Sequence, residues 1–442
     1  MTQSIDCATV RQAATYLSEL IKIDTTNPPG NEIAAAKFIK DIFEAFGQES
    51  EIVEPAPGRG SIVARMKGSG EKRPLLLLSH LDVVTAEAKD WAHPPFCGEI
   101  IDGEIWGRGA LDCKNVAVLW LVTMLHMKQK GVVPKRDIIF AATADEEAGG
   151  IWGVKWLVEN RPELVDAEYC LNEGGGGAMK LGDVTYYTYQ TGEKNTAWFQ
   201  MTARGTAGHA SVPIPDNSVV KLAQAITKLG AAKLPIHITD TVRAFVNGLA
   251  EAQPADRAQL LRAILDPART EQVLSLSPLE GHQLHSFNAM LRNTATPTIL
   301  RAGEKTNVIP GEAHCQVDGR ILPGQTADDL EREVREVVGD LVDIEINRAG
   351  TATESDPDTE LAAAIQKALG IHAAGTRVVP FLVTGATDAR FLRPRGMTVY
   401  GFAPMLPDVD ARTVHGVNER LSLGSLEFGL KVVWDVIMEL VS

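Results

Sequence analysis

The chain has 442 residues, of which 45% are hydrophobic and 23% charged, with 39 Gly and 23 Pro spread along its length. That is the composition of a globular protein of two or three domains, and it excludes the disordered, collagenous and coiled-coil classes. The 57 acidic against 43 basic residues leave a formal net charge of -14, which repels phosphate backbones and anionic lipid, so no nucleic acid and no membrane is expected as a partner.

In chain order, the opening MTQSIDCATVRQ lacks the basic and apolar stretches of a secretory signal, so the mature protein is expected to start there. Strands are predicted at Ser61 to Met66, Leu75 to Ser79, Ile138 to Ala142 and Glu168 to Leu171. Between the second and third, NVAVLWLVTMLHMK from Asn115 to Lys128 reads as a buried crossover helix, which makes a βαβ unit. Its apolar core, Val116 to Met127, falls short of the roughly 18 residues of a membrane span. The expected fold is therefore α/β, with a mainly parallel sheet and flanking helices over residues 1–193.

From 194 to 350 the texture changes to a compact α+β module. Its expected strands are Thr196 to Ala203, Thr298 to Arg301, Ala313 to Arg320 and Val342 to Asn347, and its expected helices Asp216 to Leu229 and Thr326 to Gly339. A polar, helix-prone insertion of about 239–293 interrupts it. The βα style returns over 351–442, with a helix at Glu360 to Leu369, a strand at Thr398 to Phe402 and a last helix at Ser425 to Leu440. The second module is thus inserted into the first. Five cysteines without close pairs or a disulfide framework point to a reducing cytoplasm.

In open sheets of this kind, ligands bind beyond the carboxyl ends of the strands. There LLLLSHLDVV places His80 and Asp82 on one face, so that Asp82 can orient a metal-bound His80. Alone, the pair reads also as a capping aspartate beside a satisfied histidine. Asp112 follows the Gly-rich turn of GRGALDCKN and either caps the crossover helix or reaches into the crevice. Asp145, Glu146 and Glu147 end a strand in ATADEEAGG, where a solvated acidic loop is the plain alternative. Adjacent side chains diverge, so one of Glu146 and Glu147 can bind metal while the other takes a proton from water. Glu173 in CLNEGGGG and His415 in TVHGVNERL complete the group. Two imidazoles and three carboxylates without a thiolate suit a catalytic pair of zinc, cobalt or manganese ions about 3.5 to 4 Å apart.

These motifs resemble those of the dinuclear zinc aminoacylase and carboxypeptidase family, which includes acetylornithine deacetylase, succinyl-diaminopimelate desuccinylase, carnosinase and bacterial glutamate carboxypeptidase. The likeness runs in order through SHLDVV, WAHPPF, GRGALDCK, DEEAGG, NEGGG, GTAGHAS, TNVIPG, VDGRILPG, GATDARF and VHGVNE. The resemblance implies a fold of the zinc exopeptidase type whose inserted module serves as lid and dimerisation domain. It implies two Zn²⁺, with Co²⁺ or Mn²⁺ as substitutes: His80 and Glu173 on one ion, Glu147 and His415 on the other, and Asp112 bridging.

Glu146 is then the general base, Asp82 the orienter of His80, and His209 of GTAGHAS an oxyanion stabiliser; read without the family, His209 is a surface histidine. Asn307, Arg320 and the backbone of Gly385 would bind substrate, since an arginine fork suits a carboxylate. Cys113, Asn115 and Val116 depart from the family's usual residues after the bridging Asp, while the insertion and the TNVIPG region look most like the branch of carboxypeptidase S and the secreted N-acyl amino acid hydrolases. The implied activity is hydrolysis of an N-acyl amino acid or short peptide with a free carboxylate, by a cytoplasmic homodimer. A dipeptidase of the same fold and a non-catalytic metal-binding homologue remain open at this point.

Overall fold

The computed structural model describes residues 4–276 and 281–442, and the chain forms two compact units. The first comprises the chain up to Thr191 together with 355–381 and 387–442. The second comprises 192–354 with the short segment 382–386. Gly385, expected with the C-terminal part of the catalytic domain, therefore groups with the second unit.

At the heart of the first unit four parallel strands lie in the order Ile138–Thr143, Leu75–His80, Tyr169–Asn172, Thr398–Gly401. Antiparallel strands extend them: Ser61–Met66 and Ser50–Val53 on one side, Val184–Glu193 on the other. The run of four leucines shows why this sheet has chemistry only at its ends. Leu75 and Leu77 enter a core built with the helices Cys7–Ile21, Glu32–Ala45, Lys114–Gln129, Glu360–His372 and Leu423–Val441, whereas Leu76 and Leu78 pack on the opposite face beside Val154–Asn160 and Ala389–Leu392. A strand buried on both faces has no polar alternation, as parallel sheets require. Helix Lys114–Gln129 is the expected crossover between the adjacent strands of His80 and Thr143.

In the second unit four antiparallel strands run in the order Thr294–Ala302, Glu312–Ile321, Asn195–Arg204, Asp343–Ala349. Alternate residues Ala197, Phe199, Met201 and Ala203 face a core closed by helices Ser218–Ala231 and Ala327–Val338. The insertion forms helices Asp240–Glu251, Ala255–Ala263, Pro267–Ser275 and Gly281–Met290; its residues 277–280, like residues 1–3 at the expected start of the mature chain, lie outside the described residues. Buried Lys194 ties its end to the sheet by donating to Ala289 O, Arg292 O and Thr294 Oγ1 at 3.0, 2.9 and 3.0 Å. Among the described residues no helix is long and apolar enough to cross a membrane, and all five cysteines are free.

Candidate metal centre

Three of the five predicted ligands sit at or just beyond the carboxyl ends of sheet strands, the fourth stands at the start of the crossover helix, and the fifth comes from the loop before the last helix. His80 ends its strand, Glu147 lies in the short 3₁₀ turn Glu146–Ala148 after Thr143, Glu173 follows Asn172, and Asp112 stands at the mouth of the crossover helix. His415 holds a left-handed backbone, φ 57°, which turns its ring back toward the others. The glycines after Glu173 are used for packing: a Cβ on Gly175 would lie 2.5 Å from Gly401 O.

Asp112 is the common member. One oxygen is 3.0 Å from His80 Nε2, the other 3.0 Å from His415 Nε2. Glu173 Oε2 lies 3.4 Å from His80 Nε2, and Glu147 Oε1 3.2 Å from His415 Nε2. The donor atoms thus converge in two groups, His80, Asp112 and Glu173 with Cys113 beside them, and Asp112, Glu147 and His415, each within 4.8 Å. Burial pushes the Cys113 thiol far up, and its sulfur is committed to His80 N at 3.2 Å. What remains is a nitrogen and oxygen set of the kind that hard to borderline divalent ions take.

The electrostatics point the same way. Burial raises the carboxyls of Glu146 and Glu173, and the charge of Glu173 pushes Glu146 further. Burial also opposes ionisation of Asp112, but hydrogen bonds from His415 and His80 outweigh it and hold its carboxyl below the usual range. Hydrogen bonds to Asp112 and Glu147 push His415 up to about 10. Crowded carboxylates retain protons on their imidazole neighbours unless cations relieve the repulsion, so the residues fit a pair of metal ions.

Glu146 belongs to neither group. Its Oε1 is 3.7 Å from Arg390 Nη2. Its backbone is fixed by Asp82, whose two oxygens accept from Glu146 N at 3.1 Å and Glu147 N at 3.0 Å. Asp82 was expected to orient His80 through its carboxylate. The nearest acceptor for His80 Nδ1 is instead the backbone carbonyl of Asp82 at 2.9 Å, with Oδ1 at 3.5 Å. Behind it stands a network that sequence reasoning passed over: Asn27 donates to Asp82 at 2.8 Å, and Arg59 pairs with Asn27, Glu32 and Asp145. Arg108 and Glu419 were missed as well. Asn27 lies in the TNPPG turn, which reads as an ordinary loop, while Arg108 and Glu419 lie within the GRGALDCK and VHGVNE motifs, where only the neighbouring Asp112 and His415 were singled out.

The other predicted residues lie in the second unit. His209 and Asn307 come together there, because strand Gly208–His209 pairs with Val308–Ile309 and Ala210 N donates to Asn307 O at 3.1 Å. Ser211 N, which can only donate, points at His209 Nδ1 at 3.2 Å. A neutral ring therefore carries its hydrogen on Nε2. Arg320 is at the far end of strand Glu312–Ile321, forked onto Asp318 at 2.7 and 3.1 Å. Gly385 is half-buried, with only Val383 near the position of a Cβ.

The sequence pattern of Peptidase family M20/M25/M40 matches residues 76–439. The chain belongs to this family. Its M20 relatives, and this chain with them, are metallohydrolases acting on amide and peptide bonds. The N-fatty-acyl-amino acid synthase/hydrolase PM20D1 of Xenopus tropicalis is 29% identical over 414 residues, covering 88% of this chain and 77% of its own length. A Dictyostelium discoideum protein named "Probable carboxypeptidase S-like 2" is 29% identical over 383 residues, 82% of this chain and 71% of its own. The solved M20 family metallo-carboxypeptidase Sso-CP2 of Sulfolobus solfataricus matches with a TM-score of 0.69 at 15% identity, covering 98% of this chain and 99% of that one; at that identity the likeness establishes a shared fold.

Proposed function

We propose that this M20 hydrolase releases a free amino acid from an N-acyl amino acid or short peptide that carries a free carboxylate. Two divalent cations, zinc by preference, would be held by His80, Asp112 and Glu173 and by Asp112, Glu147 and His415. The observation that carries this reading is the division of Asp112 between two imidazoles, 3.0 Å each, with Glu146 outside both groups. Bound there, the cations supply Lewis acidity, which polarises a carbonyl and makes water easier to deprotonate.

Glu146 takes the proton of the attacking water and delivers it to the leaving amine. Burial, which favours its protonated form, suits the taking of the proton, and the Arg390 guanidinium at 3.7 Å, which favours the carboxylate, eases its release. Asp82 holds the base and the neighbouring ligand in register through their two amides. His209 presents Nε2–H as a donor to the oxyanion. Asn307, Arg320 and the Gly385 backbone take the substrate carboxylate, with Arg320 exchanging Asp318 for it. Exposed Ile151, Trp152, Val414 and Val417 follow or flank Glu147 and His415 in sequence, which favours an apolar acyl group. That agrees with the activity in the name of the Xenopus relative. The second unit serves as lid and dimer contact, and the free cysteines suit the cytoplasm.

The test is amine release from N-acetyl, long-chain N-acyl and dipeptide substrates, before and after chelation and with added Zn²⁺ or Co²⁺. Chelation should abolish turnover and either ion restore it, with long-chain N-acyl amino acids preferred. Preference for dipeptides would reassign the substrate, and silence across the panel from protein holding two ions would overturn the reading.

A further inference from the structure

Arg108 and Glu419 form an ion pair at 2.7 Å with side chains only 2% and 0% exposed. Neither touches the ligand atoms, and both are spent on the backbones that carry them. Glu419 Oε1 accepts from Leu111 N at 2.6 Å and Asp112 N at 3.0 Å, while Oε2 accepts from Gly109 N at 3.2 Å as well as from Arg108 Nη1. Arg108 Nη2 donates to Gly416 O at 2.6 Å, next to His415. A further bond joins Gly107 N to Glu419 O at 2.9 Å. One carboxylate therefore fixes the turn that aims Asp112, and its guanidinium partner fixes the loop that aims His415. That loop needs holding, since His415 and Asn418 both have positive φ, 57° and 60°.

We infer that the Arg108–Glu419 pair is a positioning device that couples the Asp112 turn to the His415 loop and so governs the cation position built from Asp112, Glu147 and His415. The inference rests on the reading of those residues as ligands. It adds an asymmetry. The position of Asp112, Glu147 and His415 has two of its three ligands hung on the pair. The position of His80, Asp112 and Glu173 has one, because His80 is fixed by its strand and by Asp82, and Glu173 by strand Tyr169–Asn172. Outer partners of metal ligands typically change affinity by about 10- to 100-fold. A buried pair that merely stabilised the fold would not distinguish the two positions.

The experiment is Co²⁺ titration of the chelated full-length chain, followed by calorimetry and by the visible absorption of the bound ion, for wild type, Glu419→Gln and Arg108→Met. Glu419→Gln keeps the shape but turns an NH₂ toward the N–H donors of Gly109 and Arg108. Both variants should bind one Co²⁺ within about threefold of wild type and the other 10- to 100-fold more weakly, with an altered spectrum for the weakened ion. The double variant should lose no more than the worse single one, because the two residues act as a unit. Wild-type affinity for both ions, or equal loss of both, would overturn the inference whatever the melting temperatures. Should Glu419→Gln fail to fold, Arg108→Lys carries the same expectation, since one ammonium cannot span Glu419 and Gly416 O as the fork does. A wild-type chain that takes up fewer than two Co²⁺ would instead sink the ligand reading itself.

Discussion

In the first unit Asp82 is fully buried, and its oxygens are shared among Glu146 N, Glu147 N and Asn27, whereas in the second unit His209 is exposed and its ring is steadied by Ser211. The candidate metal centre is over-determined: each proposed ligand hangs on a strand end or a buried polar group, and each polar group has several partners. The second unit gives His209, the proposed oxyanion donor, the support of Ser211 and a two-residue strand. Groups that must hold charge in fixed positions need the first arrangement, since a misplacement of about 1 Å costs a large part of the rate. A donor that meets charge only as it develops tolerates the second.

The largest effect expected from this contrast is at the base. Glu146→Gln should lower kcat by 100-fold or more, about 10²–10⁴ for a general base, while metal content by elemental analysis stays at the wild-type value. A proportional loss of metal would place Glu146 among the ligands and erase the distinction drawn around Asp112. His209→Ala should follow, with kcat reduced by about 10²–10³ as for one oxyanion donor and with Co²⁺ affinity unchanged. A change in KM alone would show that the ring binds ground-state substrate and no more.

Smaller effects test how each unit is held. Lys194→Met leaves Ala289 O, Arg292 O and Thr294 Oγ1 without their donor. Burial pushes this lysine down to about 7, so the relief of a buried charge offsets part of the loss, and about 2 kcal/mol of stability should go. Urea titration would register it, and hydrogen exchange in the insertion helices should rise first if the anchor is local. The smallest effect concerns the cap of helix Ala327–Val338. Hydrogen bonds from Thr326 and then from Arg332 hold Asp329 down at about 2, below its usual 3.8. A lowered carboxyl stabilises the folded state above the usual value and loses that contribution as pH falls through about 2. Asp329→Asn should therefore flatten the acid limb of stability between about pH 4 and 2, leaving the metal centre untouched.

Much of the candidate site was legible because several of its proposed ligands stand where apolar strands run out. LLLLSH, IIFAAT and YCLN each announce a buried strand by composition, and the polar residue that follows has one place to go. The parallel core and the α+β character of the second module followed from the same patterns. What was not legible works through backbone amides. Glu419 accepts three amide hydrogen bonds from 310 to 307 positions away, and no local pattern encodes such a bond. The helices Cys7–Ile21 and Glu32–Ala45, which pack on the sheet, and the strand Val184–Glu193, which extends it, were passed over; the helices are amphipathic, and the strand is polar and aromatic in place of an apolar run. Arg320 was read as free to grip a carboxylate, yet Asp318 two positions earlier on the same strand face takes both arms of its fork.

The four leucines that precede Ser79 and His80 carry one more consequence. Four identical side chains, shared equally between the two faces, make a weak ruler: sliding the strand by one residue exchanges leucine for leucine at three of the four positions and brings Pro74 or Ser79 into the fourth. Beyond the run, the same slip would swing His80 to the opposite side of the sheet. The alignment of the central strand is therefore set largely by what bounds the leucines, Pro74 on one side and Ser79 and His80 on the other.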